Sequence, residues 1–126
     1  MIPEDLRYTA EHEWVSGDGS GTVRVGITHF AQDALGDIVF VELPEEGAVV
    51  AAGESFGEIE STKSVSEIYA PESGTVVARN EKLLEAPETI NEDPYGAGWL
   101  VEMTLDTPSK LGDLLSAEAY RELTES

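Results

Sequence analysis

Glu60-Ser61-Thr62-Lys63-Ser64-Val65-Ser66-Glu67 carries one of only three lysines in the chain, with small hydroxyl residues on both sides of it. Upstream Ser55-Phe56-Gly57-Glu58-Ile59 and downstream Val65-Ser66-Glu67-Ile68-Tyr69 read as strands, so Lys63 falls at the tip of a hairpin. An ammonium at such a tip, between small residues, is expected to have no near neighbour to pack on. The plain alternative is a solvated turn, where lysine is common. On this octapeptide alone that alternative is preferred.

A repeat around the tip shifts the balance. Leu43-Pro44-Glu45-Glu46-Gly47-Ala48-Val49-Val50-Ala51 recurs as Ala70-Pro71-Glu72-Ser73-Gly74-Thr75-Val76-Val77-Ala78, and Lys63 lies between the copies. Each copy reads as a proline-led turn, a glycine expected at positive φ, and an apolar strand. Gly47 and Gly74 are therefore expected to play the same backbone role. Two units that cannot cover their own apolar faces pack on each other about a pseudo-twofold, with Lys63 at the end of the sandwich.

Gly53, then Glu60-Ser61-Thr62-Lys63, then Gly74 resembles the lipoyl/biotinyl carrier motif. The flanks are similar to the glycine cleavage H-protein family. They are Tyr8-Thr9-Ala10-Glu11-His12-Glu13-Trp14, Gly26-Ile27-Thr28, Ala31-Gln32-Asp33, Gly36-Asp37-Ile38-Val39-Phe40-Val41-Glu42-Leu43-Pro44, Asn91-Glu92-Asp93-Pro94-Tyr95 and Gly98-Trp99-Leu100. The resemblance covers nearly the whole chain. It implies a mostly β barrel-sandwich hybrid of two quasi-repeated halves, with a short internal helix and a C-terminal helical tail. It further implies lipoate held as an amide on Lys63, and a carrier that itself catalyses nothing. The partners implied are a pyridoxal-phosphate glycine decarboxylase, a tetrahydrofolate-dependent aminomethyltransferase, dihydrolipoyl dehydrogenase and the lipoyl-attaching enzymes. Biotin carriers usually place Met on both sides of the lysine, and Thr62 and Ser64 argue against biotin. The family shelters the loaded arm in a surface cleft; the matching residue here is Glu13, with Glu67 a second candidate. For both, an exposed solubilising carboxylate is the simpler reading. Some members carry a histidine in the helix where this chain has Ala34.

Length is that of one domain, residues 1–126, with the core repeat at about 36–80 and the tail at about 107–124. Seven basic against 26 acidic residues give a net charge of −19, which repels nucleic acid and anionic membrane surfaces and steers the chain toward basic partner surfaces. The same charge favours a monomer. There is no cysteine, so sulfur chemistry has to come from an attached group. No apolar run approaches membrane-spanning length, and the acidic start Met1-Ile2-Pro3-Glu4-Asp5 is unlike a signal peptide, which points to the cytoplasm.

Residues 6–27 read as two strands around the glycine-rich turn Ser16-Gly17-Asp18-Gly19-Ser20-Gly21, with Val23, Val25 and Ile27 inward. Thr28 offers an N-cap and Gly36 a stop, predicting a helix His29–Leu35 with Phe30, Ala31, Ala34 and Leu35 as its apolar stripe. Ile38-Val39-Phe40-Val41 is predicted as a buried strand. Residues 81–91 read as a loop or short helix broken by Pro87. Trp99, Val101, Met103 and Leu105, alternating with Leu100, Glu102, Thr104 and Asp106, predict another strand. Thr107-Pro108 opens the helical tail, with Ser116 a cap between two short helices and a frayed end.

No catalytic constellation appears. Two histidines and no nucleophile motif make no triad, and 26 carboxylates bring some pair together by chance. The carrier reading leads. Its rivals are a lipoyl relay to other 2-oxoacid dehydrogenase complexes, a small acidic enzyme using a carboxylate pair, and a biotin carrier. Lys82 and Lys110 read as ordinary exposed lysines.

Overall fold

The computed structural model describes residues 2–17 and 21–125. Two β-sheets form a sandwich. The larger starts from the antiparallel pair β2 (Glu13–Gly17) and β3 (Thr22–Ile27), in which Val15 faces Val25. Residues 18–20 of the glycine-rich turn lie outside the described residues. β9 (Val101–Leu105), β8 (Gly74–Arg79) and β5 (Val49–Val50) extend that sheet on one side, and β1 (Arg7–Tyr8) closes the other. The smaller sheet is β4 (Ile38–Glu42), β6 (Ser55–Ser61) and β7 (Val65–Tyr69), in the order β4-β6-β7. Ile38, Val41, Ile59 and Ile68 of the smaller sheet enclose one apolar core with Val25, Val76, Val101 and Met103 of the larger.

A second cluster lies on the far side of β2, where Trp14 packs with Tyr8, Ala117 and Tyr120. A Cβ on Gly26 would fall 2.6 Å from the Trp14 indole, so glycine lets the ring lie flat on β3. Trp14 Nε1 donates to Pro94 O at 2.9 Å.

The helix α1 (His29–Leu35) forms over the predicted residues. Thr28 Oγ1 accepts from Ala31 N–H, and Gly36 at φ 84° ends it. Its predicted apolar stripe is only partly inward: Phe30 and Ala34 are exposed, and the buried residue is Gln32. Two one-turn helices follow Asn80, α2 (Lys82–Glu85) and α3 (Thr89–Glu92), separated at Pro87. The tail is a 3-10 helix Pro108–Asp113 and then α4 (Ala117–Glu125). Ser116 Oγ accepts from Ala119 N–H at 3.2 Å, as a cap should. The helix continues to the last described residue, Glu125. Among the described residues no helix is long and apolar enough to cross a membrane.

The repeat is a structural one. Val49 pairs with Thr75 and Val50 with Gly74. Exchanging each residue for its counterpart turns the first pair into Ala48 opposite Val76, where Val76 N–H donates to Ala48 O at 2.9 Å. The two copies are thus neighbours about a local twofold, although the first contributes only the two-residue β5.

Three expectations are corrected. β4 is not a buried strand: a bulge between Ile38 and Phe40 breaks the alternation and leaves Val39 and Phe40 half exposed. The strand predicted from Trp99 begins only at Val101: Leu100 lies before it, fully buried, and its N–H donates to Val25 O at 2.8 Å. Gly47 and Gly74 do not share a backbone role. Gly47 has φ 91° with open space around it, whereas Gly74 is not among the positive-φ glycines and a Cβ there would lie 2.3 Å from Thr104 O of β9.

Different costs follow for the same substitution. Gly47→Ala meets only backbone strain and should destabilise by about 1 kcal/mol. Gly74→Ala pushes β8 off β9 and should cost roughly 3 kcal/mol or more. Urea unfolding of the two variants measures the difference; equal losses would contradict the packing argument.

Candidate functional site

Lys63 occupies the connection 62–64 between β6 and β7, and is exposed. A single hydroxyl knits this turn. Ser61 Oγ accepts from Lys63 N–H and Ser64 N–H, each at 3.1 Å, and donates to Ser64 O at 3.2 Å. Ser61 N–H also donates to Ser64 O at 2.8 Å. Ser61 is buried, so it acts as an internal brace of the turn.

The turn rests on the end of α1. Thr62 N–H donates to Asp37 O at 3.1 Å. The Lys63 stem lies over Gly36, where a Cβ would fall 3.1 Å from Lys63 Cε, so the lysine does have a neighbour and needs a glycine there. Asn91 on α3 fixes this support. Its Nδ2 donates to Gly36 O at 2.9 Å and to Gln32 Oε1 at 3.0 Å, while its Oδ1 accepts from Ile38 N–H at 2.9 Å. Sequence reasoning assigned no role to Gln32 or Asn91 and took Ser61 only as one of the small hydroxyl residues beside the lysine. The available signal for Asn91 was a polar residue inside the 91–95 motif.

Glu67 lies on the exposed face of β7, opposite Glu58, which in turn faces Glu42 across β6. In the neighbouring row Val65 faces Glu60, and Glu60 faces Phe40. The ion pairs seen among the described residues, Arg24–Glu102 and Arg79–Glu81, neutralise none of these glutamates. Glu67 Oε2 accepts from the Tyr69 hydroxyl at 3.2 Å.

Glu13 is not the exposed carboxylate that sequence suggested. It is 2% exposed. Its Oε2 accepts from Tyr69 N–H at 2.7 Å, and its Oε1 from the Thr9 hydroxyl at 3.2 Å. Burial pushes its carboxyl up to about 8, against the lowering effect of those two bonds. It opens on a cavity of about 360 Å³ lined also by Tyr8, Thr9, Tyr69, Pro71 and Leu115. β7 links the two places: its start follows Lys63, and its end donates the amide that holds Glu13. The structure thus sets Glu13 and Lys63 at opposite ends of one edge strand, with Glu67 on that strand between them. Lys82 and Lys110 are exposed elsewhere, as expected.

The match to known proteins follows this geometry. A family model described as Glycine cleavage H-protein matches residues 6–126. The chain belongs to the glycine cleavage H-protein family. A glycine cleavage system H protein of Mycobacterium avium is 62% identical over 124 residues, covering 95% of this chain and 94% of that one. Its counterpart in Mycolicibacterium vanbaalenii is 60% identical over 123 residues, covering 95% and 94%. A crystal structure of a glycine cleavage system H protein from Mycobacterium marinum aligns with a TM-score of 0.91 at 48% identity, covering 99% of this chain and 100% of that one. The mostly β sandwich with its short helices and C-terminal helix is therefore the family fold, and the chain is the lipoyl-carrier component of the glycine cleavage system.

Two outcomes test the site's physics. A carboxyl whose folded value is raised stays protonated in the fold while the unfolded chain has already released its proton. Its contribution is therefore intact below pH 4.5 and is lost as pH rises toward about 8. Glu13→Gln keeps an oxygen for the Tyr69 amide and has no proton to lose. Thermal melts across this range should show wild-type stability falling relative to Glu13→Gln, by about 2–4 kcal/mol at the alkaline end; parallel curves would refute the burial argument. Separately, Asn91→Ala leaves Ile38 N–H and Gly36 O without their partner. It should cost roughly 2–3 kcal/mol in urea unfolding.

Proposed function

We propose that Lys63 carries lipoate as an amide. On this reading the chain moves an aminomethyl group from a pyridoxal-phosphate glycine decarboxylase to a tetrahydrofolate-dependent aminomethyltransferase. It then passes electrons to dihydrolipoyl dehydrogenase, catalysing none of these steps itself, and it works in the cytoplasm. The observation that carries the reading is an exposed primary amine on a turn whose backbone is fixed from both sides, by Ser61 within and by Asp37 beneath.

The residues present suit the group. Acylation removes the ammonium charge and lengthens a stem that already reaches out over Gly36. When attached, lipoate supplies the disulfide that this cysteine-free chain lacks. Ser61 and Asn91 hold the base of the arm still while the arm moves. Glu13 gives the far end of β7 a carboxyl that can receive a cationic amine. Burial keeps that carboxyl largely protonated near neutral pH, so an ammonium entering the cleft displaces its proton and becomes its countercharge. Glu67, exposed between the two, adds negative charge along the route. No observation favours a lipoyl relay to other complexes.

Peptide mapping of natively expressed protein should place a lipoyl or octanoyl adduct on Lys63. An adduct on Lys82 or Lys110, or biotin, would overturn the proposal. Lys63→Arg retains charge and stem but offers no amine for ligation, and should change stability by no more than about 0.5 kcal/mol. Glycine-dependent release of carbon dioxide in the reconstituted four-component mixture should fall to background. Sustained turnover by this variant would end the carrier reading.

A further inference from the structure

Among the described residues one non-glycine residue has a positive φ, His12 at 67°. Such a conformation persists only where its surroundings over-determine it. His12 is held from several directions. Its N–H donates to Thr9 O at 3.1 Å, and its carbonyl accepts from Thr28 N–H at 3.0 Å. Its ring stacks on Phe30 with centroids 4.6 Å apart, and its Nδ1 lies 2.8 Å from the Tyr120 hydroxyl. Burial holds His12 below the usual imidazole range, so near neutral pH Nδ1 is free to accept the Tyr120 proton.

Tyr120 belongs to α4, more than a hundred residues away in the chain. Its ring stacks on Tyr8 at 4.7 Å, with planes 9° apart, and its hydroxyl also lies 2.8 Å from Thr28 Oγ1, the cap of α1. The residue after His12 is Glu13. The segment leading into α4 forms a wall of the Glu13 cleft through Asp113, Leu114 and Leu115, and Leu115 exchanges two 2.8 Å backbone bonds with Tyr8. One phenol therefore ties together the C-terminal helix, the strained turn and the start of the strand that bears the buried carboxylate.

We propose that Tyr120 and His12 are positioning residues for Glu13: the hydroxyl of α4 locks the left-handed turn that aims the carboxyl into the cleft, and the cleft is complete only with α4 docked. This rests on the reading of Glu13 as part of the arm's shelter. The strained residue stands directly before Glu13, so the His12 conformation sets the direction in which β2 begins and the carboxyl leaves the backbone. The other titratable groups around the cleft, Tyr8, Glu11, Tyr69 and Asp113, are all acids, so no basic side chain there can do the aiming by charge.

The test uses the unmodified chain, labelled with carbon-13 at glutamate side chains and titrated by NMR. Tyr120→Phe keeps the ring on Tyr8 and removes only the hydroxyl. Burial pushes the Glu13 carboxyl up to about 8, and its midpoint should fall by about one pH unit or more in this variant as water reaches the carboxyl. An unchanged midpoint in folded Tyr120→Phe overturns the proposal. Should that variant fail to fold, His12→Asn serves with the same readout, since Asn tolerates left-handed backbone but cannot reach Tyr120 or stack on Phe30. A separate measurement on the loaded carrier follows ammonia released by hydrolysis in the absence of the transferase, expected to be several-fold faster in Tyr120→Phe. A lowered midpoint with unchanged ammonia release leaves the positioning role standing and removes Glu13 from the shelter.

Discussion

Oε2 of Glu13 accepts the Tyr69 amide at 2.7 Å, and this bond crosses from the larger sheet to the smaller. Apolar contact holds the two sheets together but is non-directional, so it does not choose how one sheet sits over the other. A charge-capable acceptor reaching the edge of β7 does make that choice, because it satisfies an amide that has no strand beyond it. The desolvation involved is large enough to raise the carboxyl to about 8. A neutral side chain would have closed the seam at less cost.

The other end of β7 is built on the opposite principle, with small neutral groups and short bonds. Asn91 fixes Gly36 and Ile38, Asp37 between them accepts Thr62, and Ser61 closes the turn. Each member holds the next, so the exposed Lys63 stands on a base with little freedom of its own. A tether that serves several active sites needs that contrast between base and arm, because a loose base would add conformational entropy to be lost at every docking event.

Much of this was legible in the sequence because its signals are local. Thr28 and Gly36 delimit α1 by capping chemistry that needs no tertiary information. The repeat placed Lys63 between two related units, and the pairing of Val49 with Thr75 shows those units side by side. What sequence missed depends on contacts between distant residues. Glu13 looks like any glutamate until Tyr69 is brought to it. Gly74 looks like its counterpart Gly47 until β9 lies against it. Val39 and Phe40 belong to an apolar run that a single bulge turns outward. Asn91 gives no sign that its side chain completes the end of a helix far upstream. The position of Lys63 at the tip of its hairpin was thus readable, and the means of holding that tip was not.

The row Glu42, Glu58 and Glu67 has a consequence for how copies of this protein meet. The smaller sheet ends in exposed strands, and beside that row it shows Val39, Phe40 and Val65 to solvent, a combination that invites edge-to-edge association. Two copies approaching there would set like charges against like at close range, which opposes pairing. A surface bearing arginine or lysine meets no such barrier and gains the apolar contact as well. The same glutamates that raise the energy of the isolated sheet therefore act as a filter, closing the neighbourhood of Lys63 to self-association while leaving it open to unlike partners.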